Sequence, residues 1–215
     1  MITYLKIAIK IALAPILYRH FPIGLRPARL HLWLDSLRDT RGVPGTIMEV
    51  GVAVGGTAAF CWNYLRYVGD DRQYVCVDTF GGFVAEQFEK DVELGNSWDR
   101  ANIFRANSEG LVRKILDMHG ATDVGIVKAD ISKMPMSQMP AAVSACLLDV
   151  DLAVPIYDGL KLLWPCLSSG GVILVDDCTE TSGWQALKGV QKFSAETGIE
   201  YQLMTGMAIF KKQKG

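Results

Sequence analysis

The sequence has no acidic residue before Asp35. Five cations precede it, Lys6, Lys10, Arg19, Arg26 and Arg29, so residues 1–34 carry +5. The whole chain has a formal charge of −1, which leaves −6 for the remainder. No broad positive field draws in nucleic acid, so nucleic acid is not an expected partner. Cysteine is sparse: Cys61, Cys76, Cys146, Cys166 and Cys178 are odd in number and form no Cys-x-x-Cys. That excludes a disulfide scaffold and fits buried thiols in a reducing cytoplasm. Histidine occurs only as His20, His31 and His119, all away from the motifs below, and none is given a catalytic role. His119-Gly120 reads as a helix C-terminus. Internal repeats and low-complexity tracts are also lacking.

Long apolar runs are missing too. The stretch from Ile2 to Tyr18 is short for a membrane span and holds Lys6 and Lys10. Pro15 follows Ala12-Leu13-Ala14, a poor cleavage geometry for a signal peptide. Lys6 and Lys10 are four apart and share one stripe of an otherwise apolar helix. Such a helix packs on its own domain, packs on a second subunit, or adsorbs on an anionic membrane surface. A cleaved or spanning segment is the remaining alternative. The expected location is cytoplasmic, with peripheral membrane contact through residues 1–30 or a homo-oligomer left open.

What is present is globular. The chain has 215 residues, half of them hydrophobic, enough to bury one core. Residues 1–40 read as a basic helical arm, broken near Phe21-Pro22-Ile23-Gly24 and Arg26-Pro27 and separate from the chemistry. Residues 41–215 read as one domain. Strands are expected at Thr46–Val50, Tyr74–Val77, Val124–Lys128, Ala145–Val150, Gly171–Val175, Tyr201–Met204 and Met207–Phe210. Helices are expected at Thr57–Val68, Glu109–Met118, Pro155–Trp164 and Trp184–Thr197. Short apolar strands alternating with helices predict an α/β fold, a doubly wound Rossmann-like sandwich on a mostly parallel seven-stranded sheet. The last two strands, joined by Thr205-Gly206, form an antiparallel hairpin.

Ligands of such sheets bind at the carboxyl ends of the strands. There the first strand runs into Glu49-Val50-Gly51-Val52-Ala53-Val54-Gly55-Gly56-Thr57 and a helix. Glycines permit a sharp turn, and a helix N-terminus offers free N–H groups. Asp78 ends the second strand, placed to hold ribose hydroxyls, and Asp130 follows the third, placed to meet an adenine amino group. The spacing is not the G-x-G-x-x-G of dinucleotide sites. A carboxylate at Glu49 suits a ligand with an ammonium and a sulfonium better than a pyrophosphate, which favours S-adenosylmethionine over NAD. The candidate cofactor residues are Glu49, Gly51, Gly55, Thr57, Asp78 and Asp130.

A second cluster is purely acidic. Asp149 and Asp151 are two apart at one strand end and so face one space. Asp176 and Asp177 end the next strand, 27 residues after Asp149. Four converging carboxylates repel one another without a counter-charge. An all-oxygen donor set suits Mg²⁺, Ca²⁺ or Mn²⁺. Helix capping by Asp151 and Asp177 is the plainer alternative.

The glycine string, the Val77-Asp78-Thr79-Phe80-Gly81-Gly82-Phe83 run, Asp149-Val150-Asp151-Leu152 and Gly170 to Asp177 occur in that order. Together they resemble the macrocin O-methyltransferase-like (TylF/MycF-type) family of class I S-adenosylmethionine-dependent methyltransferases, over roughly residues 40–212. The resemblance implies Mg²⁺ or another divalent cation on Asp149, Asp176 and Asp177, and Asp151 as general base. It implies a hydroxyl acceptor, a vicinal diol of a sugar or glycosylated natural product. Residues 83–107 read as a lid, with Phe88, Trp98 and Phe104 available to cover the site. Two other classes stay open: a nicotinamide-dependent reductase, for which Tyr157 and Lys161 have the spacing, and an inactive scaffold on the same fold.

Overall fold

The strand sequences are apolar on both faces because helices cover both. The computed structural model describes residues 2–181 and 183–214. In chain order it contains α1 (Ile2–Ala12), α2 (Ala14–Leu17), α3 (Pro27–Asp39), β1 (Thr46–Val50), α4 (Gly56–Tyr67), β2 (Tyr74–Asp78), α5 (Ala85–Glu93) and α6 (Glu109–Met118). Then come β3 (Gly125–Lys128), β4 (Val143–Leu148), α7 (Ala153–Cys166), β5 (Leu167–Val175), α8 (Ala186–Thr197), β6 (Gln202–Met204) and β7 (Met207–Lys211). The strands form one seven-stranded sheet in the order β3-β2-β1-β4-β5-β7-β6. β1 to β5 are parallel, and β7 runs antiparallel to β5 and β6. The doubly wound α/β sandwich and the closing hairpin are therefore as expected.

Strand alternation builds two cores. Ile47, Ala145, Leu147 and Leu174 face α3, α4 and α6, where Trp33, Leu37, Cys61 and Val112 pack. Met48, Val50, Cys146 and Leu148 face α7 and α8, where Ile156, Leu160, Val190 and Phe193 pack. β4 is buried along its whole length because β1 and β5 flank its edges and helices cover both of its faces. α6 shows why its boundaries were legible: Ser108 caps it by accepting from the Leu111 N–H at 3.2 Å. Leu111, Val112, Ile115 and Leu116 form its buried stripe.

The strand expected over Ala145–Val150 lies two residues earlier. The Asp149 N–H still bonds the Val50 carbonyl at 2.7 Å, and the chain then turns, with Asp151 at φ +61°. The helix expected from Trp184 starts at Ala186. α3, placed in the arm by sequence, contributes Trp33 and Leu37 to the core, whereas α1 buries no residue.

Gly51 is where the two central strands meet. It sits at φ +86°, and a Cβ there lies 1.8 Å from the Asp149 carbonyl oxygen. Gly51→Ala should therefore destabilise by on the order of 3 kcal/mol. Gly110, in α6 with nothing within 4 Å of its would-be Cβ, is the contrast. Gly110→Ala should stabilise by about 0.5 kcal/mol, both changes being read by urea unfolding.

Candidate active site

A cavity of about 580 Å³ opens at the carboxyl ends of the parallel strands. Gly51 enters it after β1, Asp78 at the end of β2 and Asp130 after β3. Asp149 and Asp151 follow β4, and Asp176 and Asp177 follow β5, all of them lining the same space. Glu49, Gly55 and Thr57 do not line it.

On the β2–β3 side the acids are held by the backbone. Asp78 accepts from the Val52 N–H at 2.8 Å and the Phe80 N–H at 2.7 Å, which fixes both carboxylate oxygens. Burial raises its pKa, and these N–H groups oppose the rise. Asp130 accepts from the Ser132 N–H at 3.0 Å and from Gln87 Nε2 at 2.9 Å. Gln87 comes from α5 and was not singled out by sequence. Thr57 accepts from the Gly24 N–H at 3.3 Å, so its hydroxyl ties the N-terminal segment to α4. Gly55 is the left-handed residue before α4, packed against Val112.

Glu49 points the other way. On β1 it shares the Ile47 face, where it is buried and accepts from the Tyr74 hydroxyl. Burial pushes its carboxyl to about 8, with the Tyr74 hydrogen bond opposing and Asp78 adding to the rise. Alternation gives the face but not the depth, because both faces of this strand are buried.

The β4–β5 side concentrates the charge. One oxygen from each of Asp149, Asp151 and Asp177 lies within 4.8 Å of the others. Burial, then mutual repulsion, holds Asp149 and Asp151 far above the carboxylate range; Asp151 also hydrogen bonds to Asp177. The two residues share a space because Asp151 turns left-handed beyond the strand, not because they alternate along it. Asp176 stands apart from the tight group. Its Oδ1 is buried and lies 2.8 Å from Arg29 Nη1, an ion pair that occupies this oxygen. Burial and Asp177 raise its pKa to about 6 against the opposing pull of Arg29. This oxygen-only donor set, with three carboxylate oxygens within 4.8 Å of one another, fits a hard divalent cation.

Arg29 corrects the expectation that the arm is separate from the chemistry. Its Nη1 donates to Asp177 Oδ1 at 2.7 Å, and the side chain lines the cavity. Burial lowers the guanidinium's pKa, and Asp177 and Asp176 more than reverse that. A sequence signal existed. Arg29, Trp33 and Leu37 recur at four-residue spacing on the buried face of α3. A cation on such a stripe needs an acid opposite it.

The expected lid is partly a structural brace. Asp91 in α5 accepts from the Ala153 N–H at 2.7 Å, anchoring the segment to the start of α7. Phe104 lines the cavity, as do Phe83 and Trp184, whose rings lie 5.5 Å apart. Arg100 stacks over Trp184 at 5.0 Å. Phe88 is buried beneath Phe83, and Trp98 lies outside the cavity lining. Tyr157 and Lys161 lie on the exposed side of α7, outside the cavity lining.

Comparison with known proteins agrees with this geometry. The macrocin-O-methyltransferase (TylF) family model matches residues 26–210. The 8-demethyl-8-(2,3-dimethoxy-α-L-rhamnosyl)-tetracenomycin-C 4′-O-methyltransferase of Streptomyces olivaceus is 29% identical over 147 residues, 63% of this chain. The match covers 54% of that protein, so the chain spans about half the length of the curated relative it matches. The O-methyltransferase NovP superposes with a TM-score of 0.73 at 23% identity, covering 87% of this chain and 80% of that one. CalS11, a calicheamicin methyltransferase, gives 0.66 at 23% identity, covering 97% and 91%. At these identities the two structures show the fold.

Two outcomes test the electrostatics. Arg29→Gln, measured in EDTA, should destabilise at pH 8 by roughly 3 kcal/mol, because it leaves buried carboxylates unpaired. The loss should shrink at pH 5, below the Asp176 value of about 6. Glu49 has a raised folded pKa, so the stability it contributes is full below its ordinary 4.5 and is lost as pH rises through about 8. Between those values wild-type stability should fall with a slope approaching about 1.4 kcal/mol per pH unit from this group. Glu49→Gln should remove that component in a pH series of unfolding curves.

Proposed function

We propose that this chain, which belongs to the macrocin-O-methyltransferase (TylF) family, is an S-adenosylmethionine- and divalent-metal-dependent O-methyltransferase. Its acceptor is a hydroxyl, one of a vicinal pair on a sugar or glycosylated natural product. The carrying observation is that two sets of acids meet in one cavity: backbone-held Asp78 and Asp130, and the cluster of Asp149, Asp151, Asp176 and Asp177. Two relatives bear names that specify rhamnose chemistry, the S. olivaceus enzyme and CalS11, a TDP-rhamnose 3′-O-methyltransferase. They support a deoxysugar acceptor.

When bound, S-adenosylmethionine supplies an electrophilic methyl group, and a divalent cation supplies a Lewis acid that makes an alcohol more acidic. Gly51, Asp78 and Asp130 are the contact residues for the nucleoside. Gly55 and Thr57 build the loop beneath it, and Glu49 lies behind that loop. Asp149, Asp176 and Asp177 would hold the cation. Asp151, with an oxygen within 4.8 Å of those of Asp149 and Asp177, takes the acceptor's proton. Phe83, Phe104 and Trp184 exclude water from a step in which opposite charges vanish. Arg29 keeps Asp176 and Asp177 converged.

Two substitutions separate these roles. Asp151→Asn should slow methyl transfer to TDP-rhamnose about a thousandfold while Mn²⁺ binding, read by electron paramagnetic resonance, persists. Asp149→Asn should lose both. Each should still bind S-adenosylhomocysteine. If Asp151→Asn also loses Mn²⁺, Asp151 is a ligand and not the base. Full activity of EDTA-stripped protein would remove the metal from the scheme.

A further inference from the structure

We propose that the outward face of α1 and α2 docks this protein on an anionic membrane surface. α1 packs on α6 and is tied down by Lys10, whose Nζ donates to the Ala106 carbonyl at 2.7 Å. Thr3, Ile7, Lys10 and Ile11 are half-buried along that contact. The opposite face is apolar and open. Ile2 is 71% exposed, Leu5 61%, Ile9 47%, Leu13 43% and Ile16 76%. These positions recur at three- and four-residue steps, so they form one stripe. A stripe of large aliphatic side chains facing water calls for a cover.

Charge selects the cover. Lys6 borders the stripe, and Arg19 and Arg26 are exposed beyond it. Among the described residues none of the three has an acidic partner within 4 Å. No acid precedes Asp35. A two-fold contact between copies pairs the same patch with itself and sets these cations against one another. An anionic bilayer supplies the opposite charge and an apolar layer together, the two signals that stable interfacial binding needs. Among the described residues no helix is long and apolar enough to cross a membrane, so α1 would lie in the plane of the interface. The docking face and the cavity share a frame: Gly24 and Arg26 line the cavity, and Lys10 holds the residue before Asn107, which also lines it.

The test is flotation of the full chain with vesicles of phosphatidylcholine alone or mixed equally with phosphatidylglycerol, alongside light scattering of the free protein. The proposal expects flotation with the mixed vesicles, about tenfold less with neutral ones, and loss at high salt. Leu5→Glu with Ile9→Glu should abolish flotation while the melting temperature is kept. Failure of the wild type to float with mixed vesicles overturns the proposal. If light scattering then shows a dimer that these substitutions dissociate, the stripe is a contact between copies. The readout needs neither methyl donor nor acceptor, so it stands or falls apart from the proposed activity.

Discussion

Buried carboxyls that share a space must either hold protons or meet a cation, and much of this structure is arranged around that constraint. β4 and β5 end side by side and deliver Asp149, Asp151, Asp176 and Asp177 into one cavity. Arg29 answers part of the charge from the opposite end of the chain. It reaches the cluster because Trp33 and Leu37 seat α3 in the core. Beside that guanidinium, burial first and mutual repulsion second still hold Asp149 and Asp151 toward the protonated form. The clustered oxygens, whose protons a cation can displace, are what make the site suited to a divalent cation.

The same sheet keeps the two halves of the proposed chemistry in register. Gly51 lets the β1 turn pass against the Asp149 backbone, so the glycine loop and the acidic loop share a wall. Asp78 and Asp130 have their oxygens pre-set by backbone N–H groups and Gln87. Asp91 braces α5 against the start of α7. Preorganisation of this kind is where an in-line transfer between two bound partners gains most of its rate.

The sheet is legible in the sequence because parallel strands covered on both faces are short apolar runs bounded by glycine, aspartate or proline. Thr46–Val50 ends at Gly51, and Glu109–Met118 is bounded by its Ser108 cap and the His119-Gly120 terminus. The acids were legible because topology places strand ends together. Their exact grouping was not: the left-handed turns at Asp151 and Asp177 are set by tertiary packing. Glu49 was misplaced for a related reason. A strand with two buried faces gives no contrast between facing a ligand and facing the core. Arg29 was missed because its partners lie 148 residues away, although its position on the Trp33–Leu37 stripe marked it.

The central claim is that the acidic cluster is a cation site. It is tested most directly by calorimetric titration of EDTA-stripped wild-type protein with Mg²⁺ near neutral pH, in buffers of different ionisation enthalpy. Raised carboxyl pKa values mean that a cation must displace protons. The account predicts saturable one-site binding with net proton release, lost in Asp149→Asn. Absence of saturable binding, with or without S-adenosylhomocysteine present, would contradict it.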